Sequence, residues 1–279
     1  MSLTTLFDYR RPRSLAEASE LLVRDGAVAL AGGTDLMVAI RHDEVGPGIV
    51  VDLKSVDEVR DDLSIEGDHL VIGGRVVMSQ VVGDEVVNEK FPALAAAAAV
   101  VGSVQIRNRA TLAGNLCNAS PAADTAPALL AYEANVTVAG DGTSRTVPLE
   151  EFFVGPGSTV LARGEVVTSV ELPMPTTRAG SAFARVTRRR GVDLASVSVA
   201  CLVEASGRTR FGFGAVGPTP LLSESTIEEL ATDDGLERLL AVTSPISDVR
   251  AGADYRKAML RVHSRRALQA ATDRLEASS

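Results

Sequence analysis

Apolar and polar positions follow three different textures along the chain, and each predicts a different architecture. In SLAEASELLVRDG, residues 14–26, Leu21 and Leu22 give a short helix its apolar face, Ser14 and Glu17 stand at capping-box spacing, and Gly26 supplies a stop. The apolar run AVAL then leads into AGG, TDLMVAIRHDE has helical composition, and GIVVDL is a second apolar run. Strand, helix and strand in this order predict a small α/β subdomain over residues 1–55.

From Ser64 the period changes to two. SIEGDHLVIGG and NVTVAGDGTSRTVPL alternate and are broken by Gly-Asp and Asp-Gly, so Asp141-Gly142 predicts a hairpin. MSQVVGDEVVNE and FPALAAAAAVVG lie between these runs. Pro92 falls at a first helical position and six alanines occupy residues 93–99, which predicts a helix packed closely on a sheet. EVVTSVELP is a strand, and Pro173 and Pro175 mark the end of a second subdomain, residues 56–176. Residues 177–279 read as a separate α+β domain. SAFARVTRR, ASVSVACLVEA and TRFGFGAVG are its strands, with a turn at Ser206-Gly207, and two helical stretches follow. Leu260, Ala267, Leu268, Ala271 and Leu275 trace one face of the last helix.

Composition narrows the function. The 279 residues suffice for two or three domains, and 28 basic against 36 acidic residues, a net charge of −8, disfavour binding to nucleic acid or anionic membranes. The N-terminal segment lacks a signal-like apolar region and no uncharged run is long enough to span a bilayer, so a cytoplasmic protein is expected. Cys117 and Cys201 cannot ligate an iron–sulfur cluster by themselves, and His42, His69 and His263 are scattered singly, so no metal site is expected in this chain.

Two glycine-bearing stretches carry the candidate chemistry. In AGGTDL, residues 31–36, Gly32 and Gly33 follow a strand and precede a helix, where bare N–H groups and the Thr34 hydroxyl could hold phosphate oxygens; a plain strand-to-helix turn is the alternative. In TLAGN, residues 111–115, Thr111 and Asn115 offer neutral donors and acceptors and Gly114 permits close approach. Asp124 suits recognition of ribose hydroxyls, or else it or Ser120 caps the helix through PALLAYEA with Pro121 or Pro127 in its first turn. Two such stretches, one in each subdomain, suggest a single extended ligand such as a dinucleotide between them.

AGGTDLMVAI, VGSVQIRNRATLAGNLCNASPAADTAPALLAYEA, DLASVSVA and DYRKAML together resemble the FAD-binding medium subunits of the molybdenum hydroxylases, the family of xanthine dehydrogenase and carbon monoxide dehydrogenase medium subunits. The resemblance implies an α+β protein: an FAD-binding fold of two α/β subdomains (PCMH-type), then a domain with a three-stranded antiparallel sheet and helices. It also implies FAD contacts. Ala29, Leu30, Ala31, Gly32, Gly33, Thr34, Asp35 and Leu36 would line the diphosphate, and Thr111, Leu112, Ala113, Gly114 and Asn115 the second side. Asp124 would meet the ribitol or ribose, Val101 the flavin, Val167 the adenine side, and Arg185 the ring or a phosphate. The family pattern T-[IV]-G-G-N is broken at Ala113, whose methyl would hinder a positive φ or the closest backbone approach.

The implied role is electron transfer, with no general acid, base or nucleophile in this chain. The implied partners are a small subunit with [2Fe–2S] clusters and a large subunit with the molybdenum cofactor, as a dimer of heterotrimers, with electrons leaving to an external acceptor. A free-standing FAD-dependent oxidoreductase of the same fold, or a scaffold whose glycine stretches are only turns, are the other readings.

Overall fold

The computed structural model describes residues 6–140, 142–189 and 191–277. The first texture folds into β1 (Asp8–Arg10), α1 (Leu15–Leu22), β2 (Ala27–Leu30), α2 (Leu36–Arg41) and β3 (Ile49–Asp52). β3 lies between β1 and β2 and runs parallel to both, with Val50 level with Tyr9 on one side and Val28 on the other. β1 is exposed along its length, which is why DYR carries no apolar signal. The cap of α1 differs from the expected box by one residue. Ser14 Oγ accepts from the Glu17 N–H at 3.2 Å, but the Glu17 carboxylate accepts from the Arg13 N–H at 2.9 Å.

The second texture supplies β4 (Leu63–Glu66), β5 (His69–Gly73), α3 (Met78–Gly83), α4 (Glu85–Lys90), α5 (Pro92–Ala99), α6 (Val104–Arg107), α7 (Leu112–Cys117) and α8 (Thr125–Ala131). β6 (Asn135–Gly140), β7 (Thr143–Pro148), α9 (Leu149–Phe152), β8 (Phe153–Gly155), β9 (Ser158–Thr159) and β10 (Val166–Pro173) complete it. An antiparallel sheet of order β4-β5-β10-β6-β7 results, and β8 pairs with β9 alone. The β6–β7 hairpin is formed: Asp141 lies outside the described residues, and Gly142 has the positive φ of 73° that such turns use.

The third texture gives β11 (Ala179–Val186), β12 (Val197–Glu204), β13 (Arg208–Gly214), β14 (Leu221–Thr226), α10 (Ile227–Leu230), α11 (Asp233–Leu240) and α12 (Ala253–Ala277). The antiparallel sheet has four strands in chain order, not the three expected. The extra one, LLSEST, pairs along the edge of β13 with Glu224 and Thr226 exposed. Its place is set by the backbone ladder more than by an apolar face, so pattern alone passes over it.

This sheet is covered on both sides. Val197, Val199, Cys201 and Val203 of β12 pack with Leu236, Leu239, Leu260 and Ala271 of α11 and α12, while Ala200 and Leu202 enter the core of the middle region. A strand buried on both faces reads as an unbroken apolar run, as VSVACLV does. The alanine helix α5 packs on β11 and on α3, α4 and α8, and the Ala93 N–H donates to Tyr132 Oη at 3.1 Å. On the face of α12, Leu260, Ala267 and Ala271 are buried and Leu268 and Leu275 partly so. Arg256 joins them: Nη1 donates to the Ser196 and Ala215 carbonyls, both at 2.9 Å, and Nη2 to Asp248 at 2.6 Å. Among the described residues no helix is long and apolar enough to cross a membrane.

Two glycines let helices press onto the sheet. A Cβ on Gly180 would lie 2.0 Å from the Ala271 carbonyl oxygen of α12, and one on Gly212 would lie 1.9 Å from that of Pro127 in α8. Gly212→Ala is therefore expected to destabilise the chain by about 3 kcal/mol, at the upper end of overpacking costs. Gly155→Ala, where a Cβ meets nothing within 4 Å, is expected to stay within about 0.5 kcal/mol. Urea-unfolding midpoints of the two variants test the difference.

Candidate functional site

The two glycine stretches meet through their backbones. A Cβ on Gly32 would lie 2.1 Å from the Arg109 carbonyl oxygen and 2.9 Å from Ala110 Cα, so the first loop rests on the chain that leads into the second stretch. Gly33 has a φ of 77°, which favours glycine. The N–H groups of residues 32–34 donate to no acceptor among the described residues. Consecutive unpaired N–H groups between a strand and a helix are suited to anionic oxygens.

The second stretch is a helix start and not a loop. Thr111 caps α7, its Oγ1 accepting from the Gly114 N–H at 3.0 Å. Ala113 lies in the first helical turn without a positive φ, so the hindrance anticipated for that conformation does not arise. The Gly114 N–H is already used by the cap. The glycine serves packing instead: a Cβ there would lie 2.7 Å from Thr111 Oγ1 and 3.6 Å from Ala31 Cβ.

Between these stretches lies a cavity of about 1010 Å³. Its walls include Ala29, residues 31–36, Val101, Thr111, Ala113, Gly114, Asn115, Asp124 and Val167. Of the residues proposed from sequence, three are absent from the wall. Leu30 alternates to the opposite face of β2 and packs with Ile40 and Val50, and Leu112 is fully buried in the core of the middle region. Arg185 stands behind Asp124.

Asp124 precedes α8 with helical backbone angles and makes no side-chain cap, so the capping role fails. Ser120 does not take it over, since its Oγ accepts from the Ala122 N–H at 3.3 Å. The Asp124 carboxylate turns instead to Arg185, whose Nη1 donates to Oδ2 at 2.7 Å. Asp124 is 8% exposed, and its Oδ1 is buried without a partner among the described residues. Burial pushes the Asp124 carboxyl up to about 6, with the charge and hydrogen bond of Arg185 pulling against it. Beside it, Asn115 Oδ1 accepts from Thr125 Oγ1 at 2.7 Å, leaving its NH₂ as the end with donors to spare.

Sequence reasoning missed several cavity residues, among them Lys54, Arg75, Arg188, Asp193 and Arg250. For Lys54 a signal existed. It follows β3, parallel neighbour of the strand that carries the first loop, and ligands gather at the carboxyl ends of such strands. Arg188 and Arg250 lie in irregular segments whose meeting no local pattern announces.

The walls fit a flavin dinucleotide. Unpaired N–H groups suit a diphosphate, the orphaned Asp124 Oδ1 would accept from a sugar or ribitol hydroxyl, and Val101 and Val167 offer apolar surface for ring systems. Among the described residues no cluster of three or more His, Cys, Asp or Glu is arranged to hold a metal.

Comparison with known proteins agrees with this fit. Residues 5–175 match the family described as the FAD binding domain in molybdopterin dehydrogenase, and residues 182–271 the carbon monoxide dehydrogenase flavoprotein C-terminal domain. The carbon monoxide dehydrogenase medium chain of Hydrogenophaga pseudoflava is 31% identical over 95% of this chain and 96% of its own length. A putative xanthine dehydrogenase FAD-binding subunit of Escherichia coli K12 is 30% identical over 94% of this chain and 95% of its own. A solved structure of the Hydrogenophaga pseudoflava carbon monoxide dehydrogenase, lacking the Mo-pyranopterin moiety of its molybdenum cofactor, superposes with a TM-score of 0.89 at 29% identity, covering 98% of this chain and 99% of that one. The chain belongs to the family of FAD-binding medium subunits of the molybdenum hydroxylases.

Proposed function

We propose that this chain is the flavin-carrying electron-transfer subunit of a molybdenum-containing hydroxylase or dehydrogenase. In this reading it receives electrons from the [2Fe–2S] clusters of a small partner subunit and passes them to an external acceptor, while substrate is oxidised in a large subunit holding the molybdenum cofactor. The cavity at the meeting of the two glycine stretches carries the proposal. Bound FAD would supply a centre able to exchange electrons singly or in pairs. The chain's own task is to bind and orient.

The N–H groups of residues 32–34 would hold the diphosphate, with Ala29, Ala31, Asp35 and Leu36 completing that wall. Thr111, Ala113, Gly114 and Asn115 would form the second side. Asp124 Oδ1 would accept from a hydroxyl of the ribitol or ribose, and Val101 and Val167 would lie against the flavin and adenine ends. Arg185 acts through Asp124. Leu30 and Leu112 support the walls from the cores beneath them. Residues 1–55, 56–176 and 177–279 would be the three modules, with the cavity where the first two meet. A dimer of heterotrimers in the cytoplasm is the assembly this reading implies; the relatives' designation as medium chains supports a multi-subunit enzyme.

A hydroxyl donating to Asp124 favours the ionised carboxylate, so FAD affinity should fall as pH drops through about 6. Asp124→Asn should bind FAD about tenfold more weakly at neutral pH, within the range of a lost hydrogen bond to a charged group, and lose that pH dependence. Flavin fluorescence titrations between about pH 5 and about pH 7.5 measure both. In the ligand-free chain the sign reverses. The folded-state value of about 6 lies above the ordinary carboxyl value, so this group's stabilising contribution is complete below the unfolded value and is lost as pH rises through about 6.

Co-purification from the native host is expected to recover the chain with iron, molybdenum and flavin. A lone flavoprotein turning over a small substrate without partners would favour the free-standing oxidoreductase.

A further inference from the structure

β3 ends in a single 3-10 turn at Leu53–Ser55, capped by Asp52, whose Oδ1 accepts from the Lys54 N–H at 3.0 Å. The same carboxylate directs the side chain. The Lys54 ammonium lies 2.6 Å from Asp52 Oδ1 and donates at 3.4 Å to the carbonyl of Ala31, where the first glycine loop begins. An ammonium has three N–H donors. Two are thereby occupied, the third has no partner among the described residues, and Lys54 lines the cavity.

The carboxylate is the fixed end of this pair. The Asp52 side chain is 1% exposed while that of Lys54 is 37% exposed, and Tyr9 Oη donates to Asp52 Oδ2. Burial acts to raise the Asp52 carboxyl, but the hydrogen bonds from Lys54 and Tyr9 more than offset it and hold the group below its ordinary value. Arg75 secures the main chain from the other side, its Nη1 donating to the Lys54 carbonyl at 2.7 Å.

Such a cation complements the first loop. Its unpaired N–H groups are neutral donors, and the charged side chain it carries is Asp35, at 3.3 Å from Thr34 Oγ1. A doubly charged diphosphate facing only these groups would meet a like charge with no full positive charge to counter it. Among the described residues Lys54 is the cation hydrogen-bonded to the loop itself. The other cations that line the cavity, Arg75, Arg109, Arg188, Arg189 and Arg250, make no side-chain hydrogen bond to this loop among the described residues.

We propose that Lys54 is a phosphate-binding residue of the cavity, its ammonium held at the Ala31 carbonyl by Asp52 so that the remaining donor meets the diphosphate of the flavin dinucleotide. This assignment rests on the flavin reading given above. It is tested on the full-length chain stripped of flavin, by titrating FAD and riboflavin, which shares the ring system and lacks the phosphates, into wild type, Lys54→Met and Lys54→Arg. Lys54→Met should raise the Kd for FAD about tenfold or more, leave that for riboflavin within about twofold, and make FAD binding less sensitive to salt. Lys54→Arg should recover most of the FAD affinity. Equal weakening toward both flavins, or an unchanged Kd for FAD in a variant with the wild-type melting midpoint, overturns the assignment. If Lys54→Met does not fold, Lys54→Gln, which can still donate to Asp52, is held to the same criteria. A wild-type chain that binds no FAD overturns the flavin reading itself, and the assignment with it.

Discussion

The cavity depends on one contact between main chains, Gly32 against the carbonyl of Arg109, at a distance that leaves no room for a side-chain carbon. That contact ties the loop after β2 to the turn before α7, while Gly114 lets α7 lie against the Ala31 methyl. On the far wall Gly74 makes a second main-chain contact of the same kind. A Cβ there would lie 2.6 Å from the Val167 carbonyl oxygen, at the point where the pairing of β10 with β6 slips by a residue. Side chains can change rotamer to make room, but backbones packed on one another cannot. The cavity is therefore framed by rigid contacts, and the polar side chains that line it are attached to a frame that does not adjust to them.

Those side chains have unequal freedom. Asp124 is buried and held by Arg185, and Lys54 is held by Asp52, a carboxylate buried behind the wall and bonded in turn by Tyr9. Cys117 also lines the cavity, but burial pushes its thiol up to about 12. At neutral pH the thiol is held in its protonated form, which is the less nucleophilic one. Side chains anchored like Asp124 and Lys54 are suited to keeping a ligand in place.

What could be read from the sequence follows from what local patterns record. Periodicity reports the partition of side chains between core and water, so AVAL, HLVIG and VSVACLV were identifiable as strands and Leu260, Ala267 and Ala271 as a helix face. The ladder that holds LLSEST at a sheet edge leaves little such signature, and neither does the exposed DYR. The glycines in TLAGN and AGG were visible, but their purpose was harder to see, because Gly114 and Gly32 answer to neighbouring backbone as much as to a ligand. The Thr three residues before Gly114 is a helix-cap signal, which reading TLAGN only for its ligand-facing groups passes over. The pairing of Asp124 with Arg185 joins elements with no local relation, so nothing near either residue could have distinguished a capping carboxylate from one turned away.

That pairing has a consequence for the molecule as a whole. Arg185 belongs to the C-terminal sheet and Asp124 to the cavity wall, and one carboxylate offers an oxygen to each side. A donor on either oxygen favours the ionised form and so strengthens the other. A ligand that donated to the free oxygen would link filling the cavity to seating the sheet, each raising the affinity of the other by the same factor, with a single negative charge as the connection between them.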